Sequence, residues 1–206
     1  LPRKTKEYSI KTRTLLLEAA LDVFSEKSFS EVTLSEIAER VGMTKGALYW
    51  HFKNKSDLLS KLIKEICLDS DREFTEKFGT PETLADLRDY YRKKLIPPDR
   101  NDRFMKIHAI MLRRFEWPED VRSNAFSLLK DQITREKRMI NDILIRSQRE
   151  GTVRQEIGSE EVSSAITSVF YGLFILVLNE IVTDDISKCT DFICNAFRKE
   201  LLCKEN

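Results

Sequence analysis

The chain has 206 residues, 33% of them charged, with only 6 glycines and 5 prolines. So few turn formers exclude a β-sandwich of many short strands and favour long amphipathic helices. A formal net charge of +1 excludes a generally polycationic protein, so any nucleic-acid role must rest on local charge such as Arg3, Lys4, Lys6, Lys11 and Arg13 near the N-terminus.

Helical periodicity begins near Ile10, where Leu16, Ala20, Val23 and Phe24 recur on one face, and Lys27-Ser28 closes this first helix. Thr33-Leu34-Ser35-Glu36 reads as a capping box that starts a second, short helix at Leu34, with Ile37, Ala38 and Val41 inward and Gly42 ending it. Thr44 caps a third helix from Lys45 to about Phe52. Asn54 caps a fourth, with Asp57 in its first turn and Gly79 after its end. Thr80-Pro81-Glu82 predicts the start of a fifth helix, and Pro97-Pro98 its end. A sixth is expected from about Arg100 to Glu116, and a long seventh from Pro118 to just before Gly151. Gly158-Ser159 precedes an apolar eighth, and Asp184 or Asp185 opens a ninth that ends near Cys203. No strand alternation occurs, and the predicted fold is all-α with about nine helices.

Cys67, Cys189, Cys194 and Cys203 form no C-x-x-C pair and no histidine cluster accompanies them, which argues against a structural metal. The chain opens on Leu1 with no signal-peptide pattern, so free thiols and a cytoplasmic location are expected. The apolar stretch from Ala165 to Val182 is interrupted by Thr167, Ser168, Tyr171, Asn179 and Glu180. A helix buried between subunits accounts for it better than a membrane span, which needs ~20 predominantly apolar residues.

Residues 33–53 have the steric pattern of a helix-turn-helix. Ala38 is small where two helices cross, Gly42 stands where the chain turns sharply, and Leu48 buries the second helix against the first. The outward positions of that second helix are Thr44, Lys45, Ala47, Tyr49, Trp50, His51 and Lys53, and none is acidic. Partial packing is expected of Trp50. A DNA major groove admits an α-helix and rewards short side chains near the bases with cations near the phosphates. Catalysis finds no support. The two histidines, His51 and His108, lie in separate predicted domains, and no nucleophile elbow, phosphate-binding loop or metal-spaced His/Glu set occurs. No cofactor is expected.

The stretch TLSEIAERVGMTKGALYWHFKNKSDLL at residues 33–59 resembles the DNA-binding signature of the TetR/AcrR family. The preceding PRKTKEYSIKTRTLLLEAALDVFSEKSF is also similar to that family, particularly to its AcrR-type multidrug-efflux repressors. The strong likeness covers about residues 2–62, and Ser28 departs from it where the family usually has glycine. The resemblance implies that Lys45, Gly46 and Thr44 face base edges, with Ser35 near the groove. It also implies phosphate contacts from Tyr49, Lys55 and His51, and the basic residues from Arg3 to Lys11 would follow the DNA backbone or a minor groove.

The resulting organisation is a DNA-binding domain with a basic N-terminal arm at residues 1–55 and a helical effector-binding and dimerisation domain at residues 56–206. The expected dimer surface lies within about residues 160–203, with Ile166, Val169, Phe170, Leu173, Leu176 and Val177 meeting Phe192, Ile193, Ala196 and Phe197. Phe104, Ile107, His108, Met111, Phe115, Trp117 and Phe126 are candidates to line a pocket for a small hydrophobic effector, although each also suits an ordinary core. The functional expectation is a homodimeric, ligand-released repressor of an efflux or related operon that binds a palindromic operator. A family activator or a metabolic regulator of lipid or amino-acid genes stays open as the alternative, ahead of a small helical enzyme. If an effector acts, its pocket helices are expected to push on the fourth helix.

Overall fold

Helix caps account for most of the boundaries in the structure, a computed structural model that describes residues 2–95, 102–179, 181–182 and 185–202. The described residues form nine α-helices: α1 (Pro2–Glu26), α2 (Leu34–Arg40), α3 (Lys45–His51), α4 (Lys55–Phe78), α5 (Leu84–Leu95), α6 (Asp102–Leu112), α7 (Glu119–Arg149), α8 (Ser159–Leu178) and α9 (Ile186–Leu201). A single 3₁₀ turn, Arg114–Glu116, lies between α6 and α7. Thr33 Oγ1 accepts the Glu36 amide at 3.2 Å, Thr44 Oγ1 accepts that of Ala47 at 3.3 Å, and Asp185 Oδ1 accepts that of Lys188 at 3.2 Å. Gly42, Gly79 and Gly151 follow α2, α4 and α7 with φ of 67°, 73° and 73°, the left-handed conformation that a side chain would strain.

Three expectations need correction. α1 begins at Pro2, not near Ile10, because the polar residues before Ile10 carry no apolar periodicity to mark the helix. α5 begins at Leu84 because Thr83 and Asp86 form the reciprocal box: Thr83 Oγ1 accepts the Asp86 amide at 3.2 Å, and Asp86 Oδ2 accepts the Thr83 amide at 2.9 Å. α6 ends at Leu112, where the chain tightens into the 3₁₀ turn and then buries Trp117. The expected breaks at Pro97-Pro98, the positions Arg100, Glu180, Asp184 and Cys203, and the side chains of Arg3, Lys4, Lys6, Cys67, Phe104 and His108 lie outside the described residues.

The chain divides into two units, one of Leu1–Ser70 with Arg100–Leu128 and the other of Asp71–Asp99 with Leu129–Asn206. The division therefore falls inside α4 and α7 and not at the expected boundary between residues 55 and 56. The physical reason is the core of the first unit. Leu16, Ala20, Val23 and Phe24 of α1 pack with Ile37 and Ala38 of α2, Leu48 of α3, Leu58 to Ile66 of α4, Ile110 of α6, and Trp117 and Val121. Within it α1 packs on α6 and α2, and α2 on α3.

In the second unit α5 packs against α8 and α9 around Leu87, Tyr91, Ile140, Leu144, Ile166 and Phe170. The Tyr91 and Phe170 rings stack with centroids 3.7 Å apart. The Tyr91 hydroxyl donates to Glu136 Oε1 at 2.8 Å, and Lys94 Nζ donates to the same carboxylate. Burial, reinforced by the negative Glu136, holds Tyr91 protonated at any physiological pH. Ile166 and Phe170, expected at a dimer surface, are instead buried within this chain, since they face α5. Leu173, Val177, Ile193 and Phe197 are half-buried, whereas Val169, Leu176, Phe192 and Ala196 are exposed. Among the described residues α8 is long and apolar enough to cross a membrane over Ser159–Val177, but Glu160 and Glu161 open it and one face packs on α5.

Candidate DNA interface

The recognition segment is built from the inside outward. α2 is pinned by Ile37 and Ala38, the chain turns at Gly42, and the Met43 amide bonds back to the Ala38 carbonyl at 2.9 Å. Leu48 and Phe52 are wholly buried and fix the inward side of α3. At 100° per residue, position 50 points away from both. Trp50 is accordingly 82% exposed, which corrects the expectation that it would pack, and Tyr49 is 50% exposed. Thr44, Lys45, Gly46 and Lys53 share the exposed side, while Ala47, His51 and Ser35 are half-buried at its margins. Lys45 Nζ sits 5.8 Å from the Tyr49 ring centroid.

No acid occurs between Glu39 and Asp57, so no carboxylate within residues 40–56 repels a polyanion. Asp57 itself is turned to the protein. Its Oδ2 accepts the Lys53 amide at 2.9 Å and the Lys61 ammonium at 2.8 Å, while Asn54 Oδ1 accepts the Asp57 amide at 2.8 Å. Burial works to raise the Asp57 pKa, but the hydrogen bonds from Lys61 and Lys53 outweigh it and hold the carboxyl below its ordinary range. The Phe52 ring centroid is 5.9 Å from the Arg13 guanidinium and 5.4 Å from the Lys61 ammonium. Burial, with help from those same two cations, lowers the pKa of His51, which is neutral at pH 7.

Behind this face the ion pairs are internal. Arg13 joins α1 to α4 through Glu65 at 2.8 Å, and Lys106 joins α6 to α1 through Asp22 at 2.9 Å. Glu36 does not complete a reciprocal box with Thr33; its carboxylate bonds Lys27 at 2.5 Å. Ser28, in place of the expected glycine, caps its own turn, its amide and hydroxyl both donating to Glu31 Oε2 at 2.9 and 2.7 Å.

Lys55 does not reach outward as expected. Its ammonium donates to the carbonyls of Phe29 at 2.5 Å, Val32 at 2.8 Å and Ser30 at 3.3 Å, and lies 4.5 Å from the Phe29 ring centroid. Arg113 Nη1 donates to the Ser25 carbonyl at 2.8 Å and makes longer contacts to those of Phe24 and Lys27. Neither role was visible in the sequence, because each partner lies far along the chain and is a main-chain oxygen.

The described members of the seven candidate effector residues have different surroundings. Trp117 is 5% exposed and belongs to the core of the first unit, against which Ile107 and Met111 pack. Phe115 and Phe126 are on the surface, and the Phe104 and His108 side chains are not described. A separate cleft of about 310 Å³ lies in the second unit, between the end of α4 and the start of α5, and is lined by Phe78, Glu82, Asp89, Tyr90 and Lys93 among others. It contains none of the seven.

A short helix buried through Leu48 and Phe52, joined by a glycine turn to a capped partner helix and exposing Lys45, Tyr49 and Trp50, defines a helix-turn-helix DNA-binding module. Residues 16–62 match the model of bacterial regulatory proteins of the tetR family. The chain is 50% identical over 60 residues to the HTH-type transcriptional regulator AcrR of Shigella flexneri, a match spanning 29% of this chain and 28% of that protein. It is 25% identical over 175 residues to the probable acrEF/envCD operon repressor of Escherichia coli K12, covering 83% of this chain and 78% of that one. The fold is similar to that of NalD, the secondary repressor of the MexAB-OprM multidrug efflux pump in Pseudomonas aeruginosa, with a TM-score of 0.72, 24% identity, and 97% of this chain and all of that chain covered. Residues 16–62 thus carry the DNA-binding segment of the tetR family of bacterial regulatory proteins, and the chain over most of its length is similar to a transcriptional repressor. These relatives are regulators, not enzymes.

Proposed function

We propose that this protein is a cytoplasmic repressor of an efflux or related operon, which binds a palindromic operator as a homodimer and is released by a small hydrophobic effector. The observation that carries the DNA reading is the exposed, acid-free side of α3. In the proposed complex α3 lies in the major groove, with Thr44, Lys45 and Gly46 at its leading end close to base edges. Lys45 reads guanine through O6 or N7, Tyr49, Lys53 and His51 meet phosphates, and Trp50 and Ala47 contact the groove wall or a thymine methyl.

Support for dimerisation comes from Val169 and Leu176 on α8 and Phe192 on α9, apolar side chains that α5 and the rest of the second unit leave exposed. Two-fold pairing there covers them and supplies one recognition helix for each half of a palindrome. The effector reading rests on what relatives are named for. AcrR-type relatives are named as regulators and operon repressors, and one solved structure of similar fold, SmeT, is a complex with triclosan. The test is selection of bound duplexes from a random pool. The reading predicts enrichment of one palindrome, and recovery of a bulk-like pool from protein shown to be folded contradicts it.

A further inference from the structure

The expectation that Lys55 meets a DNA phosphate conflicts with where its ammonium is. An ammonium has three N–H donors and no acceptor. Lys55 Nζ has three carbonyl acceptors within reach, those of Phe29, Ser30 and Val32, and the Phe29 ring beneath it. A phosphate contact would require exchanging at least one of these bonds. Burial lowers the Lys55 pKa, as an inward-turned cation requires.

Arg113, the residue after α6, acts on the same stretch. The last carbonyls of a helix lack intrahelical partners and carry the negative end of its dipole, so a cation there is doubly favoured. Arg113 occupies that place on α1 through the Phe24, Ser25 and Lys27 carbonyls. The two cations thus hold residues 24–32, the segment that leads into Thr33, the N-cap of α2. α2 in turn packs on α3.

We infer that Lys55 and Arg113 are positioning residues for the recognition helix, acting through the main chain between α1 and α2 and not through DNA. This inference rests on the proposed operator binding. Arg113 also makes the end of α6 part of the recognition unit, so a displacement of α6 reaches α3 through α1 and α2 rather than by the expected push on α4.

The experiment compares wild type, Lys55→Met, Arg113→Met and Lys53→Ala on the selected palindrome and on a random duplex, each across a range of salt. A phosphate contact contributes about one unit of salt slope on every sequence. Lys55→Met and Arg113→Met are expected to weaken palindrome binding roughly tenfold, the scale of a lost charged hydrogen bond, with the salt slope and random-duplex affinity unchanged. Lys55→Arg is expected to restore part of the loss. A salt slope lowered by about one unit in Lys55→Met, as Lys53→Ala should show, overturns the inference.

A second measurement needs no variant: lysine acetylation of the wild-type protein, read residue by residue. Lys55 is expected to react much more slowly than Lys45 or Lys53 in free protein, and at the same rate with operator bound. Lys55 reacting as fast as Lys53, and being shielded by DNA, contradicts the clamp. Failure of wild type to enrich any palindrome would count against the proposed function instead, and the free-protein acetylation rate would still decide the role of Lys55.

Discussion

The recognition segment from Thr33 to Lys53 and the α8–α9 region both present apolar side chains, yet only the first could be sorted into inside and outside from sequence. In the recognition segment the seven-residue α3 has one wholly buried anchor, Leu48, and a wholly buried C-cap residue, Phe52, so the outward positions follow by rotation. α8 is apolar nearly all round, so its sequence says that it is covered without saying by what. The structure divides it, giving Ile166 and Phe170 to the chain's own core and leaving Val169 and Leu176 exposed. Short helices with sharp amphipathic contrast announce their orientation. Long apolar ones take their orientation from their neighbours.

The contrast can be broken most severely at Leu48. Leu48→Ala removes a wholly buried anchor of α3 and is expected to cost about 2–5 kcal/mol in denaturant unfolding, whereas Val169→Ala on the open side of α8 should cost the monomer under about 1 kcal/mol. Equal losses would mean that Val169 is not exposed in solution. A charge on the other region sharpens the point. Phe192→Asp, at a side chain 77% exposed, should leave the fold intact and yield monomers by sedimentation, with operator affinity reduced by about 2 kcal/mol or more. A dimer that survives this change moves the interface elsewhere.

Trp50→Ala separates surface from core within the recognition segment itself. It should change stability by no more than about 0.5 kcal/mol and weaken operator binding by ~1–2 kcal/mol. The smallest effect is a pH dependence. The fold lowers the pKa of His51 below its ordinary 6.5, through burial and then Arg13 and Lys61, so the neutral ring is favoured. That contribution is full above pH 6.5 and is lost as pH falls through the depressed value. His51→Gln should therefore flatten the decline of Tm between pH 6.5 and about pH 5. An unchanged slope would place the acid-sensitive group elsewhere.

Much of this was legible because helix ends are written in short-range chemistry. Thr33, Thr44, Asn54 and Asp185 all cap as their sequence context implies, and Gly42, Gly79 and Gly151 take up the left-handed turns. Errors arose where two candidate caps stood three residues apart, as with Thr80 and Thr83, or where a helix has no apolar stripe to reveal it, as before Ile10. The outward positions of α3 were legible for the same local reason, except Trp50, whose bulk argued for packing while its rotation about the helix argued against it. The inward turn of Lys55 was not legible because a lysine beside a recognition helix looks the same whether it faces phosphate or the carbonyls of Phe29 and Val32. The candidate effector residues were ambiguous for a different reason. Aromatic and sulfur-bearing side chains fill cores and pockets alike, and Trp117 took the first role.

The most direct measurement uses the chain's 2 tryptophans, one 82% exposed on the proposed DNA face and the other 5% exposed in the core. Acrylamide quenching of the wild-type protein should resolve an accessible Trp50 and a protected Trp117. Saturating operator DNA should then abolish the accessible fraction and leave the protected one unchanged. DNA that binds while Trp50 stays fully quenchable would contradict the claim that α3 is the surface that meets it.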